Sequence, residues 1–284
     1  MARAKQGRPG GFTLVELSVV MFIVGLMLLS LMYTLSGQTD QRNFEETRRR
    51  LEQARELLLA FAIVNGRLPC PARSTNPSTS SSTSAEVRDA ATGNCTTGGV
   101  DDYFGGTLSN GLTGGLLPAL SMGYQQVDTF GFAVDAWGNR IRYAVAKTNT
   151  SCSVIPPANT RLFTHAANLK YYGISCQPDD LLVCKSASTI TPTACGGGAN
   201  QIMSQSLVVA IIYSTGKNGA TAPDAATATA LGRTDESANL NGDPVFVFHV
   251  PTSSGATNGE FDDQLTWITH GELYGKLIAA GVLP

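Results

Sequence analysis

The apolar positions of this chain fall into two unlike regimes. From Phe12 to Leu35 they are nearly unbroken, FTLVELSVVMFIVGLMLLSLMYTL, with Glu16 as the one charge. A run of about 20 apolar residues is the length a helix needs to cross a bilayer. From Gln38 to Asn65 the pattern changes, and Phe44, Leu51, Ala54, Leu58 and Phe61 recur at steps of three and four. That spacing predicts a helix with one buried face. Glu45 with Arg49, Glu46 with Arg50 and Arg48 with Glu52 are spaced for i,i+4 pairing on the other face. No proline occurs between Gly11 and Pro69, so the pattern predicts helix from about 13 to 65, stopped by Asn65-Gly66-Arg67-Leu68-Pro69.

Beyond the helix, residues 72–115 are rich in Ser, Thr, Gly and Asn and read as a long surface loop. Strand patterns follow. Phe130–Val134 and Arg140–Ala146 flank Asp135-Ala136-Trp137-Gly138-Asn139, which predicts a tight hairpin. Leu207–Tyr213 is a continuous apolar run with β-branched residues and reads as a central strand. Val245–Val250 predicts another strand, with shorter ones at Leu169–Ile174 and Leu181–Cys184, and a closing helix from Glu272 to Ala280. One long helix followed by antiparallel strands predicts an α+β fold with a sheet laid on the helix.

Composition narrows the setting. Charged residues make up 15% of the 284, against about 25% in typical globular proteins. With 30 glycines and many Ser and Thr, the surface reads as neutral polar loop, as in secreted proteins. The formal net charge is −2, and without Arg3, Lys5 and Arg8 it becomes 17 basic against 22 acidic residues, or −5. That balance argues against a nucleic-acid partner bound through a broad basic face, and Arg48-Arg49-Arg50, interleaved with glutamates, reads as a solvated helix face. The six cysteines Cys70, Cys95, Cys152, Cys176, Cys184 and Cys195 contain no C-x-x-C and predict disulfides in an oxidising compartment. Spacing does not fix their connectivity; pairing in chain order (Cys70–Cys95, Cys152–Cys176, Cys184–Cys195) is the expectation adopted.

The leader MARAKQGRPGG is short, basic and ends in glycine, which places the N-terminus on the cytoplasmic side and the remainder outside. No A-x-A site follows the apolar run, so it does not read as an ordinary signal peptide. A plain signal anchor leaves Glu16 unexplained, because a carboxylate inside an apolar span is costly and needs a partner.

Gly11-Phe12-Thr13-Leu14-Val15-Glu16-Leu17, with its basic leader and apolar run, resembles the class III signal of type IV pilins and type II secretion pseudopilins. The resemblance implies cleavage after Gly11 by a prepilin peptidase, methylation of Phe12, and Glu16 as the fifth residue of the mature chain. Glu16 would then pair with the α-amino group of Phe12 on a neighbouring subunit, so that two charges costly in lipid neutralise each other. It further implies a pilin-like fold, other pilin subunits and an inner-membrane platform with its ATPase as partners, and a periplasmic head that ends in a surface pilus or a periplasmic pseudopilus. Four segments are expected: leader 1–11, transmembrane or filament-core helix 12–36, amphipathic stem 37–69 and disulfide-stabilised head 70–284. Asp135-Ala136-Trp137-Gly138-Asn139 is similar to the D-P-W-G-N turn of major pseudopilins, with alanine in place of proline. Ser214-Thr215-Gly216-Lys217-Asn218-Gly219 resembles the start of their later loop, which leads into a calcium site.

Enzyme signatures are not found. His165, His249 and His270 are far apart and lack H-E-x-x-H context, and no G-x-S-x-G elbow, P-loop or G-x-G-x-x-G occurs. No catalytic residue and no organic cofactor are expected. Asp243, Asp262 and Asp263, with Glu260 nearby, are the candidate calcium ligands.

Overall fold

A computed structural model describes residues 11, 13–72, 84–88, 95–97, 100–101, 115–149, 152 and 163–283; for 29–36, 96–97, 100–101 and 166–168 it describes the backbone alone. Most of the expected loop at 72–115 therefore lies outside the described residues. In chain order the elements are α1 (Leu14–Asn65), β1 (Thr96–Thr97), β2 (Val100–Asp101), α2 (Ala119–Met122), β3 (Arg142–Val145), α3 (Ala166–Tyr172), β4 (Leu182–Cys184), β5 (Gln201–Met203), β6 (Val208–Ser214), α4 (Ala225–Ala230), α5 (Thr234–Leu240), β7 (Val245–Val247), β8 (Gln264–Thr269) and α6 (His270–Ala279). Two compact units divide within α1, between Asn43 and Phe44. The later part of the stem thus belongs to the same unit as the head.

In the first unit, Leu14 to Leu28 present apolar side chains to solvent, with Leu14 85% and Phe22 69% exposed. Among the described residues no helix is long and apolar enough to cross a membrane. The described side chains of this run stop at Leu28 and resume at Gly37, short of the ~20 residues a span requires.

The second unit is built on the face that the helical spacing predicts. Leu51, Ala54, Leu58, Leu59 and Ala62 are buried in one core with Ile141, Tyr143, Ile211, Ile268 and Leu273. Each such Leu or Ile contributes about 1.5–3 kcal/mol of transfer free energy. Phe44 and Phe61 sit at the margins: Phe44 packs edge-on against Trp137 at 4.9 Å, and Phe61 lies under the Arg67 guanidinium at 5.2 Å. On the polar face Glu46 takes both Arg49 and Arg50, while Glu52 and Glu272 take Arg55. The Arg55 Nε also donates to the Trp267 carbonyl at 3.1 Å, which ties α1 to β8. At the C-terminus of α1, Gly66 adopts φ 67° and its N–H donates to the Ala62 carbonyl at 2.8 Å. This left-handed closure is one that glycine adopts without strain.

Two three-stranded sheets, in strand orders β3-β6-β8 and β5-β4-β7, and an antiparallel β1-β2 pair complete the unit. β6 is buried along its whole length and runs antiparallel between β3 and β8, as a continuous apolar run implies for a central strand. β4 pairs antiparallel with β5 but parallel with β7, so the head is not wholly antiparallel. Other expectations are revised. The 130–134 segment makes only single bridges, Val127 with Ala133 and Val134 with Arg140, and β3 pairs with β6 instead. Leu169–Ile174 is helical rather than extended, with α3 running on into a 3₁₀ turn at Gly173–Ser175. β7 ends at Val247, three residues short of the apolar pattern. The cysteines pair in chain order, Cys70–Cys95, Cys152–Cys176 and Cys184–Cys195, and no free cysteine remains among the described residues.

Asp180 receives the Lys147 N–H on both oxygens at 3.1 Å, joining the exit of β3 to the approach to β4. Burial pushes its carboxyl up to about 7, and the neighbouring Asp179 adds to the rise. An acid raised by folding holds its proton longer in the native state, so the contribution of Asp180 to stability is most favourable below the unfolded value near 3.8 and declines as pH rises towards 7. The expected slope is at most about 1.4 kcal/mol per pH unit. Urea denaturation at pH 4 to 8 measures it, and Asp180→Asn should flatten that part of the curve.

Candidate functional site

The first site is the start of α1. Gly11 is exposed, and Phe12 lies outside the described residues. Thr13 precedes the helix and Glu16 occupies its third position. The Thr13 N–H donates to the Glu16 Oε2 at 2.8 Å, the Thr13 hydroxyl donates to the same oxygen at 2.9 Å, and the Glu16 N–H donates back to the Thr13 hydroxyl at 3.3 Å. This reciprocal arrangement is a capping box, which satisfies amides that a helix N-terminus otherwise leaves bare. The T-x-x-E spacing ahead of an apolar run is the sequence signature of this box, so Glu16 has an intrachain partner beside the intermolecular one expected for it. The carboxylate also sits where the helix dipole favours negative charge.

The second site is in the head. Asp135 opens the D-A-W-G-N turn, accepting the Trp137 and Asn139 amides at 2.9 and 2.8 Å on one oxygen and the Ser214 hydroxyl at 2.6 Å on the other. The back of the turn is held by α1: Arg50 Nη1 donates to the Val134 and Asp135 carbonyls at 3.0 and 2.7 Å, and the Ala136 amide donates to the Thr47 hydroxyl at 3.1 Å. Asn139 Nδ2 donates forward to the Gly216 carbonyl at 2.6 Å. The turn thus braces the loop after β6 against the helix stem.

That loop borders three buried carboxylates, Glu236, Asp262 and Asp263, whose oxygens lie within 4.8 Å of one another. Asn218 Nδ2 and the Asp262 amide both donate to Glu236 Oε1, at 2.7 and 3.1 Å. The Asn218 amide donates to Asp262 Oδ2 at 3.2 Å, and Asn239 Nδ2 donates to Asp263 Oδ2 at 2.7 Å. Asp262 Oδ1 is buried with no hydrogen-bond partner. Leaving such an acceptor unmet costs about 1–3 kcal/mol, more for a charged group. Burial and the Glu236 charge push Asp262 up to about 7, and the same two causes hold Asp263 well above the ordinary range. Arg233 lies 3.9 Å from Glu236 but gives its stronger contact, 2.8 Å, to Glu260. This donor set fits a hard divalent cation: oxygen ligands only, an orphaned oxygen among them, and more negative charge than the nearby guanidinium neutralises.

The cluster differs from the expected one. Asp243 accepts from Asn241 Nδ2 and the Val245 amide within its own turn, and Glu260 pairs with Arg233, while Glu236 joins Asp262 and Asp263. No spacing pointed to Glu236, which only the docking of α5 beside the start of β8 brings near. Asp263 also reaches the wall of an apolar groove of about 800 Å³ bordered by Phe44, Leu51, Ile202, Phe248 and Leu265.

The histidines are engaged separately. His249 contacts Asp235 at 3.0 Å and stacks on Phe261, and His270 contacts the Cys176 carbonyl at 3.0 Å. His165 precedes α3 without capping it.

Among known families, residues 8–32 match the prokaryotic N-terminal methylation motif. No curated protein and no solved structure matches the chain. The end of the leader with Gly11, the capped helix start and most of the apolar run fall within that match, and residues 8–32 therefore carry the class III prepilin signal motif of type IV pilins and pseudopilins.

Proposed function

We propose that this chain is a structural subunit of a type IV filament, a minor pilin or pseudopilin with no catalytic role. It is cut after Gly11 by a prepilin peptidase, methylated at Phe12, and passed by the inner-membrane platform and its ATPase into a filament of pilin subunits. Residues 12–36 anchor the precursor in the inner membrane and later form filament core, with the head outside the cytoplasm. The observation that carries this reading is the match at residues 8–32 with Glu16 as the fifth residue of the mature chain. Three disulfides in the head support an oxidising destination.

A mature chain of 273 residues with a long neutral loop at 72–115 favours a minor, surface-exposed role. The D-A-W-G-N turn favours the alternative, a periplasmic pseudopilus serving secretion. Shearing intact cells and probing both fractions for the head separates the two. Recovery with sheared filaments supports the surface pilus, and retention in the envelope at native expression supports the pseudopilus.

A further inference from the structure

We propose that the open edge of β8 at 264–266 takes up an extended, uncharged segment of another protein chain as an added strand. The inference concerns the head alone and does not depend on the assembly reading. In the sheet β3-β6-β8 only β6 is paired on both sides, so β8 is an edge. Its later part is closed by α1: the Trp267 carbonyl accepts from Arg55 Nε at 3.1 Å, so the Trp267 backbone points away from β6. Backbone direction repeats at every second residue of a strand, so the Leu265 N–H and carbonyl point the same way. The register agrees. The Ala146 amide bonds the Val209 carbonyl, which turns Ala210, Ile212 and Ser214 towards β8, opposite Ile268, Thr266 and Gln264. Among the described residues no hydrogen bond from another element reaches Leu265 on its outer side.

That stretch of edge borders the apolar groove of about 800 Å³, beside Phe44 and Leu51 of α1, Ile202 of β5, and Phe248. Sheets ordinarily guard an open edge with lysine, proline, a bulge or a covering element. Gln264-Leu265-Thr266 carries neither charge nor proline, and the bulge of this pairing lies at its other end, between Val208 and Ala210. Gln264 adds a buried Nε2 with no hydrogen-bond partner, a donor suited to a carbonyl. Charges around the groove balance, with Glu45 and Glu52 against Arg48 and Lys185, while the buried Asp263 accepts from Asn239. A charged headgroup or a basic tail therefore finds no net complement here. An uncharged main chain does: it offers donors and acceptors to the β8 edge and turns every second side chain onto the apolar wall.

The test uses the full-length chain in lipid nanodiscs, with a short capped peptide that alternates valine and threonine as the probe. Amide exchange with solvent is followed by NMR. In the free protein the Leu265 amide should exchange far faster than that of Thr266, which is bonded to β6. Peptide at up to about 1 mM should slow Leu265 exchange about tenfold or more and leave Thr266 unchanged. The same peptide with its backbone nitrogens methylated keeps every side chain but cannot lie along a strand edge, and should protect nothing. Ile202→Lys, which sets a charge on the groove wall, should cancel the protection while leaving exchange in the free protein as it is. Failure of the unmodified peptide to protect Leu265 would overturn the proposal. So would equal protection by the methylated peptide, because the groove would then take apolar matter whatever its backbone. Protection that grows with protein concentration alone would give the edge to a second copy of this chain, and would overturn it too.

Discussion

Glu16→Gln is expected to be cleaved and methylated like the wild type yet to fall out of filaments on the order of a hundredfold, the factor implied by an unpartnered charge in hydrocarbon. Glutamine separates two roles that alanine or valine would confuse. It serves the N3 position of a capping box as well as glutamate does, so the bonds with Thr13 persist and the helix starts in the same place. What it lacks is the charge that would neutralise the amino group of Phe12 on the next subunit. Thr13→Val makes the converse change, weakening the helix start by about 1 kcal/mol while keeping the carboxylate. Incorporation should therefore survive Thr13→Val and collapse in Glu16→Gln, as scored by immunoblot of sheared or pelleted filaments. If both variants assemble normally, Glu16 is a cap and nothing more, and the register argument fails.

Arg67→Ala should be the most damaging single change in the head, at about 3–5 kcal/mol, the range found when one partner of a buried ion pair is removed. Both Arg67 terminal nitrogens bond Glu86, each at 2.7 Å, and Glu86 also accepts the Cys70 amide at 3.0 Å. The pair pins the first residues after α1 beside a disulfide. Burial alone would raise the Glu86 carboxyl, but the Arg67 bonds, the Cys70 amide and the Arg67 charge outweigh it and hold the carboxyl below its usual range. A depressed acid contributes stability above its unfolded value near 4.5 and loses it as pH falls through the folded value. Chemical denaturation should show this acid-side loss in the wild type and its absence in Arg67→Ala. Replacing both residues, Arg67→Met with Glu86→Gln, should recover most of the loss. A cost below about 1 kcal/mol for Arg67→Ala would mean the pair is solvated, as surface bridges are.

What the sequence made legible was governed by local periodicity. The buried face of α1 and the central strand β6 are each written in spacing, because a helix face and a doubly covered strand both impose a repeat on their own residues. β8 is absent from the expected strands although Gln264-Leu265-Thr266-Trp267-Ile268-Thr269 alternates, because six residues with polar ends give only a short alternating signal. α3 lies where a strand is expected, because Leu169–Ile174 is too short for its apolar residues to distinguish a helix from a strand. At the N-terminus, leader, glycine, capping residue and carboxylate are adjacent in the chain, so the motif was complete in the sequence. The acidic cluster was legible only in part, since Asp262 and Asp263 are neighbours but Glu236 reaches them through tertiary packing. Asp243, the other candidate acid, satisfies its own turn instead.

The proposed assembly requires that the mature chain begin at Phe12. Mass spectrometry of the N-terminal peptide, from cells with and without an active prepilin peptidase, tests it most directly. The expected peptide starts at N-methylated Phe12 in the first and retains the sequence before Gly11 in the second. A peptide that keeps the leader in both, or begins beyond Leu35, would contradict it.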